Sequence, residues 1–270
     1  MDIEFLENTA RQIRKDILEM LAEAQSGHLG GSLGLADIFT VLYFDFLNID
    51  AKNPLWEERD RLVLSIGHVA PALYATLARR GFFSTKLLKT LRKLGSPLQG
   101  HISTQVPGVE VSTGSLGQGL SIAVGMALAA KSDGKNWSVV SIHGDGELQE
   151  GQIWEAAMSA RKFKLDNLIT IVDRNMLQID GNTESVMPIE PLANKWISFG
   201  WHVIETDGNQ IEMLLSTLRL AKQIKEKPTV IIANTVMGKG VKAIENNHSW
   251  HGKSPSKEEL KIFLNQLENS

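Results

Sequence analysis

Ser138-Val139-Val140-Ser141-Ile142 runs directly into His143-Gly144-Asp145-Gly146-Glu147, and thirty positions beyond Asp145 the run Leu168-Ile169-Thr170-Ile171-Val172-Asp173 has just ended at Asn175. Both runs are short and rich in Val and Ile, the pattern of strands buried on two faces. The stretch Glu150–Phe163 between them has helical spacing. A separation of this length fits one strand, helix, strand unit, so the turns bearing Asp145 and Asn175 fall at the same edge of a parallel sheet. That edge is where ligands bind in open sheets of this type.

Working outward, Arg61–Ser65, Trp201–Thr206 and Pro228–Thr235 have the same strand-like composition, while Leu192–Phe199 and Gln210–Lys225 read as helices between the later strands. Strands alternating with helices predict an α/β fold, a parallel β-sheet with helices on both faces. At the N-terminus, Leu6, Ala10, Ile13, Ile17, Met20, Leu21 and Ala24 recur at helical spacing and predict one amphipathic helix over Ile3–Ala24. A further apolar run predicts a helix over Leu35–Leu47, and Ser256–Ser270 reads as a short amphipathic helix. No Pro/Gly/Ser-rich linker, repeat or low-complexity tract interrupts the sequence, so 1–270 is expected to form a single domain.

Composition narrows the function classes. With a formal net charge of -3 there is no basic field to attract a phosphate backbone or an anionic lipid surface, so neither nucleic acid nor membrane is expected as a partner. The most apolar window, Gly119–Ala130, is too short to span a bilayer, which needs about 20 residues. Charges scattered over Met1–Asp16 leave no signal-peptide core. The absence of cysteine excludes thiol catalysis and thiolate metal sites. Together these readings predict a cytoplasmic protein.

In the turn after the first quoted strand, glycines free the backbone to approach a phosphate, and Asp145 offers a carboxylate oxygen to a hard cation. Magnesium is usually held by one or two protein oxygens together with the phosphates of a ligand. Asp145, the Asn175 amide oxygen and one backbone carbonyl suit that task. Alone, Gly144-Asp145-Gly146 reads more simply as a tight turn; Asn175 at the matching offset shifts the balance. Other phosphate loops fit worse. There is no Walker A motif, and Leu148-Gln149 stand where a Rossmann fingerprint needs its third glycine.

Histidines add a second signal. Five of the seven, His28, His68, His101, His143 and His251, adjoin a glycine. Chance adjacency would give about one, and glycine neighbours mark turns or close backbone approach. Taken singly, each is an ordinary surface or core histidine, the reading kept for His202 and His248; taken together they are a group in turns, poised for a ligand.

With Ser26-Gly27-His28, Leu64-Ser65-Ile66-Gly67-His68, Gly100-His101, Thr113 through Gly119, Gly144 through Glu147, Asn175 through Gly181 and Ser249-Trp250-His251-Gly252 in this order, the chain resembles the N-terminal, diphosphate-binding domain of transketolases over nearly its whole length. It looks like the separate N-terminal subunit of a split transketolase. The resemblance implies the thiamine diphosphate-binding fold, with thiamine diphosphate and magnesium as cofactors. It implies that Asp145, Asn175 and the Leu177 carbonyl ligate the metal, and that Gly146 approaches the diphosphate. His68 and His251 would contact cofactor and substrate, Gly114, Ser115 and Leu116 would lie along the cofactor, and His28 and His101 would face the sugar. Neutral imidazoles suit binding hydroxyls and moving protons. Glu150 matches a glutamate near the dimer axis of the family, and equally reads as an ordinary acid at a helix N-terminus.

The sequence departs from the family in places. Leu29 and Ile102 follow their histidines where many relatives have proline, Met237 stands where some have lysine, leaving Lys239 as a substitute, and His143 has no family role. By the same resemblance the activating glutamate belongs to the following domain. A C-terminal subunit carrying the pyrimidine-binding domain is therefore the expected partner, in an α2β2 heterotetramer acting on sugar phosphates, ketose donor to aldose acceptor, in carbohydrate metabolism such as the pentose phosphate pathway. Alternatives are the α subunit of a 2-oxo acid dehydrogenase first component, half of a deoxyxylulose phosphate synthase, or a non-catalytic cofactor-binding scaffold.

Overall fold

A computed structural model describes residues 2–269. Seven strands occur among them: β1 (Arg61–Leu64), β2 (Val139–Gly144), β3 (Leu168–Arg174), β4 (Leu177–Gln178), β5 (Gly181–Asn182), β6 (His202–Asp207) and β7 (Thr229–Asn234). Five form one all-parallel sheet in the order β1-β2-β3-β7-β6, whereas β4 and β5 make a small antiparallel hairpin beside it. The helices are α1 (Ile3–Ala24), α2 (Gly30–Gly34), α3 (Ala36–Val41), α4 (Ala70–Arg80), α5 (Gln118–Ser132), α6 (Gly151–Lys162), α7 (Thr183–Val186), α8 (Leu192–Ser198), α9 (Ile211–Gln223) and α10 (Lys257–Glu268).

Side chains alternate across a strand, so each strand feeds two cores. Leu62, Leu64, Val140, Ile142, Ile169 and Ile171 pack with residues of α1, α3, α4, α9 and α10, while Val63, Val139, Leu168 and Val172 pack with residues of α5, α6 and α8. The expectation of helices on both faces is met. All five sheet strands fall where the sequence places them, within two residues at each end. No helix among the described residues is long and apolar enough to cross a membrane.

One expected element is wrong in shape. Instead of a single helix over Leu35–Leu47, the chain turns helical five residues earlier in α2, breaks at Leu35, continues as α3 and ends in a wide π-helical turn, Leu42–Phe46. Glycines explain the early start. A Cβ at Gly30 would lie 2.7 Å from the Met237 side chain, and one at Gly34 would lie 3.0 Å from the Val236 carbonyl oxygen. Close backbone approach fixes α2, a cause invisible to apolar periodicity. Apolar periodicity does not mark helix α4 either, although Pro71 in its first turn and the left-handed Gly81 at its end are ordinary start and stop signals.

Register places the site. Gly144 pairs with Asp173 and Arg174 with Asn234, so the turns after β2 and β3 leave the sheet side by side at its carboxyl edge.

Candidate functional site

The Asp145 carboxylate sits at the centre of this edge. It accepts hydrogen bonds from the Gly146 N–H at 2.7 Å and the Met176 N–H at 2.7 Å, and from Arg174 Nη1 at 3.0 Å. Burial pushes its carboxyl above the ordinary range, against the pull of Arg174 and the two backbone donors. Asn175 Oδ1 accepts from the Leu177 N–H at 3.0 Å, and its amide nitrogen donates to Asp173 at 2.8 Å. The turn reverses through Met176 at φ 66, a left-handed conformation unusual for a side-chain-bearing residue. Behind it the fully buried Asp173 is pushed up to about 7, chiefly by burial, with Asp145 adding to the rise and Thr235 and Asn175 opposing it.

The two turns open into a cavity of about 200 Å³ lined by His68, Leu116, Asp145, Gly146, Asn175, Leu177 and His251, with Ile66, Gln178 and Ile179 around them. The expected metal turns and two of the expected histidines therefore share one cleft. His28 and His101 join them at its mouth. The ring of His28 lies 4.9 Å from that of His68, 6.0 Å from His251 and 6.3 Å from His101, and His68 lies 5.3 Å from His251. Four histidines spread over more than two hundred residues converge, each on a different loop. Gly114 packs against the His101 ring, where a Cβ would approach to 3.1 Å, while Ser115 is exposed and outside the cavity wall.

All four imidazoles are neutral near pH 7. Burial first, then the charges of His251, Arg92 and His101, lower His28 to about 4. Burial, then His28, His251 and His101, lowers His68 to about 3. Burial also lowers His101, with Arg92 adding to the effect, and lowers His251. The buried Nδ1 atoms of His28 and His251 have no hydrogen-bond partner.

Two expectations need correction. His143, the fifth glycine-flanked histidine, is not a ligand group: it is wholly buried in β2 and shares a hydrogen bond of 3.1 Å with Glu147 Oε2. Lys239 does not stand in for the missing lysine, because it lines a separate groove with Arg11, Asp37 and Asn209, whereas Met237 is buried against Gly30. Leu29 and Ile102, standing where relatives carry proline, are buried apolar anchors of their loops, 0% and 3% exposed.

Glu147, given no role by the sequence, organises the site. Its carboxylate, 2% exposed, accepts from the Ser65 hydroxyl, the Gly117 N–H at 2.8 Å and the Gly144 N–H at 3.3 Å, as well as bonding His143. Burial pushes its carboxyl up, but His143, Ser65 and Gly117 outweigh that and hold it below the ordinary range. One buried carboxylate thus ties the end of β1, the glycine loop before α5 and the turn after β2. A glutamate directly after Gly-Asp-Gly was the available signal, but its partners lie 30 and 82 positions away. Glu150 is exposed beside the cavity and makes no capping hydrogen bond to α6.

No three His, Asp or Glu side chains come together as a metal cage among the described residues. One carboxylate, one amide oxygen and a backbone carbonyl make instead the sparse, hard-oxygen set that suits magnesium completed by phosphates. Gly146 adds a bare stretch of backbone beside it, where a Cβ would approach Gln178 at 3.2 Å.

A parallel sheet with this pair of turns at its carboxyl edge, facing a cluster of neutral histidines, defines a domain built to hold a diphosphate cofactor. The chain belongs to the transketolase family: residues 6–268 match the family described as transketolase, thiamine diphosphate binding domain. It is 44% identical over 267 residues to one subunit of the apulose-4-phosphate transketolase of Phocaeicola vulgatus, covering 99% of this chain and 95% of that protein. It is 46% identical to the 6-deoxy-6-sulfo-D-fructose transketolase subunit SqwG of Clostridium sp. (strain MSTE9), covering 97% and 96%. Among solved structures, the transketolase of Campylobacter jejuni superposes with a TM-score of 0.93 at 37% identity, covering 99% of this chain but 43% of that one. The chain thus spans nearly all of the relatives named as subunits and less than half of that full transketolase. Its relatives are transferases, and it carries their thiamine diphosphate-binding domain.

Proposed function

We propose that the chain is the cofactor-diphosphate half of a two-subunit transketolase, moving a two-carbon ketol unit from a ketose phosphate donor to an aldose phosphate acceptor. The observation that carries the reading is the cavity that Asp145, Asn175, His68 and His251 line together, with the rings of His28 and His101 beside it. We take 1–270 as a single thiamine diphosphate-binding domain. Asp145, the Asn175 amide oxygen and the Leu177 carbonyl would hold magnesium, and Gly146 would present its backbone to the diphosphate. Gly114 to Leu116 would flank the cofactor, with Leu116 already in the cavity wall. When bound, thiamine diphosphate supplies a nucleophilic carbon able to carry a two-carbon fragment.

The histidines do the rest. His68 and His251, deepest in the cleft, reach both cofactor and substrate, and His28 and His101 at the mouth meet the sugar. Because all four are neutral at physiological pH, each offers one N–H donor and one acceptor nitrogen to a hydroxyl, and each can take a proton from it and return it. A charged cluster at this spacing would repel itself, so burial keeps the site ready for proton exchange.

Relatives of the same length that are themselves named as transketolase subunits, and a cavity of about 200 Å³ set against the ~300–1,000 Å³ usual for ligand sites, support an incomplete site finished by a second chain. We infer that this partner brings the pyrimidine-binding domain and its activating glutamate, in an α2β2 heterotetramer. The relatives act by name on apulose 4-phosphate and on 6-deoxy-6-sulfo-D-fructose, so the ketose is taken as an anionic sugar of this kind, within or outside the pentose phosphate pathway. A chain with no cysteine suits the reducing cytoplasm, where we place it. The test is ketol transfer from xylulose 5-phosphate to ribose 5-phosphate with purified chain, magnesium and thiamine diphosphate, with and without the candidate C-terminal partner. Turnover by the pair alone is expected; turnover by the chain by itself, or decarboxylation of pyruvate by the pair, refutes the reading.

A further inference from the structure

Arg92 occupies a conformation that few arginines adopt. Its backbone is left-handed, at φ 59, and its N–H donates to the Leu98 carbonyl at 2.8 Å, closing a tight loop. Such a conformation costs a side-chain-bearing residue about 1–3 kcal/mol and persists only where the surroundings enforce it. The side chain is then delivered between two loops. Its Nη1 donates to Ser26 Oγ at 3.0 Å, two residues before His28. Its guanidinium plane lies on the backbone of Gly100, the residue before His101, so closely that a Cβ there would sit 2.6 Å from Cζ and Nη2. A Cβ at Gly27 would come within 3.8 Å of Nε. Among the described residues Arg92 makes no ion pair, although its neighbour Lys93 pairs with Glu23. An arginine kept in a rare backbone state without an acidic partner is being used for its shape.

We propose that Arg92 is a positioning residue that clasps the His28 loop to the His101 loop and so sets the separation of the two imidazoles at the mouth of the cleft. The planar, five-donor fork suits this role, since it hydrogen-bonds on one side and stacks flat on bare backbone on the other, whereas a lysine offers a single point. The fixed positive charge also bears on both rings, which it helps keep neutral. Gly100 is glycine because the guanidinium takes the space of its side chain. The inference rests on the proposed ketol transfer only for its catalytic consequence; the clasp itself is a property of this chain.

Two measurements separate these. Imidazole ¹⁵N–¹H correlations of the isolated chain at pH 7.5 read the ring environments directly. Arg92→Gly keeps the left-handed backbone without strain and removes the fork; it is expected to move the ring resonances of His28 and His101 and leave those of His202 and His248 in place. Ser26→Ala removes one jaw, and is expected to move His28 and not His101. In the assembled enzyme with magnesium and thiamine diphosphate, Arg92→Gly should lower kcat by on the order of 10- to 100-fold while the cofactor Kd stays within about twofold, as expected for misplaced reacting groups at an intact cofactor site. Arg92→Lys should recover little. Unmoved His28 and His101 resonances overturn the clasp whatever the activity, as does unchanged kcat in an active complex. A wild-type complex without turnover would refute the ketol-transfer reading and leave the resonance test of the clasp standing.

Discussion

Replacing Glu147 by glutamine tests whether a buried carboxylate organises the cleft. The native carboxylate serves four donors with two oxygens: Ser65 Oγ and the Gly117 N–H on Oε1, His143 Nδ1 and the Gly144 N–H on Oε2. An amide keeps one oxygen and turns the other into a donor, so one pair must face an N–H₂ group. If that group takes the Oε1 position, the Ser65 hydroxyl rotates to accept but the Gly117 N–H is stranded. If it takes the Oε2 position, His143 changes tautomer and the Gly144 N–H is stranded. Either way one buried donor is orphaned, which destabilises by about 1–3 kcal/mol. For a chain of this size that lowers Tm by roughly 2–4 °C per kcal/mol, a fall of about 2–12 °C. Urea unfolding of wild type, Glu147→Gln, Ser65→Ala and the double variant should show a lowered midpoint with unchanged slope, and a coupling energy of at least about 0.5 kcal/mol between the two sites. Since Gly144 and Gly117 flank the cofactor cleft, affinity for thiamine diphosphate with magnesium, read by quenching of tryptophan fluorescence, should weaken by on the order of 10-fold. A Glu147→Gln protein as stable as wild type, with additive effects at Ser65, would refute the reasoning.

Three further perturbations probe the rest of the site. Asp145→Asn should keep the fold, because Arg174 retains Glu184 and Glu190 as partners, but weaken magnesium-dependent cofactor binding by about 10- to 100-fold in calorimetry; unchanged affinity would remove Asp145 from the metal set. Gly119→Ala puts a Cβ 2.4 Å from Ser65 Oγ and 2.8 Å from Ser65 Cα, so it should destabilise by about 1–3 kcal/mol and loosen the same loop; a wild-type urea midpoint would contradict this. His28 and His68 fold at about 4 and about 3, below the 6.5 of a free imidazole, so the unfolded chain takes up protons first. Their stabilising contribution is therefore complete above pH 6.5 and falls as pH drops toward those values. The slope is at most about 1.4 kcal/mol per pH unit for each, and less for the partly exposed His28. Asp173, raised to about 7, acts in the opposite sense, losing its contribution as pH rises through that value, and cancels when a His28→Gln/His68→Gln variant is compared with wild type between pH 7.5 and 5.5. The variant should lose less stability over this window; parallel curves would show that the rings titrate normally.

The sequence by itself determined the sheet and the two turns at its carboxyl edge. Runs such as Val139–Ile142 and Leu168–Asp173 are buried on both faces, so their composition declares them, and Asp145 and Asn175 follow at a spacing that one strand, helix, strand unit dictates. Local periodicity and short-range turn chemistry suffice for that. The histidines were legible as a set because each sits beside a glycine, a mark of turns that any sequence displays. Glycine adjacency alone does not bring them together; the family resemblance implied that four of them share a site, and the tertiary structure showed that His143 is buried within β2. Glu147, Arg92 and the early start of α2 were decided by tertiary structure alone. Each depends on groups brought together across the fold: Ser65 and Gly117 on one carboxylate, Ser26 and Gly100 on one guanidinium, Met237 and Val236 against bare glycine backbone. A residue pattern records which face of an element is apolar, but not what arrives opposite it. Contacts between distant loops satisfy buried polar atoms one partner at a time, and only the folded chain brings those partners within reach.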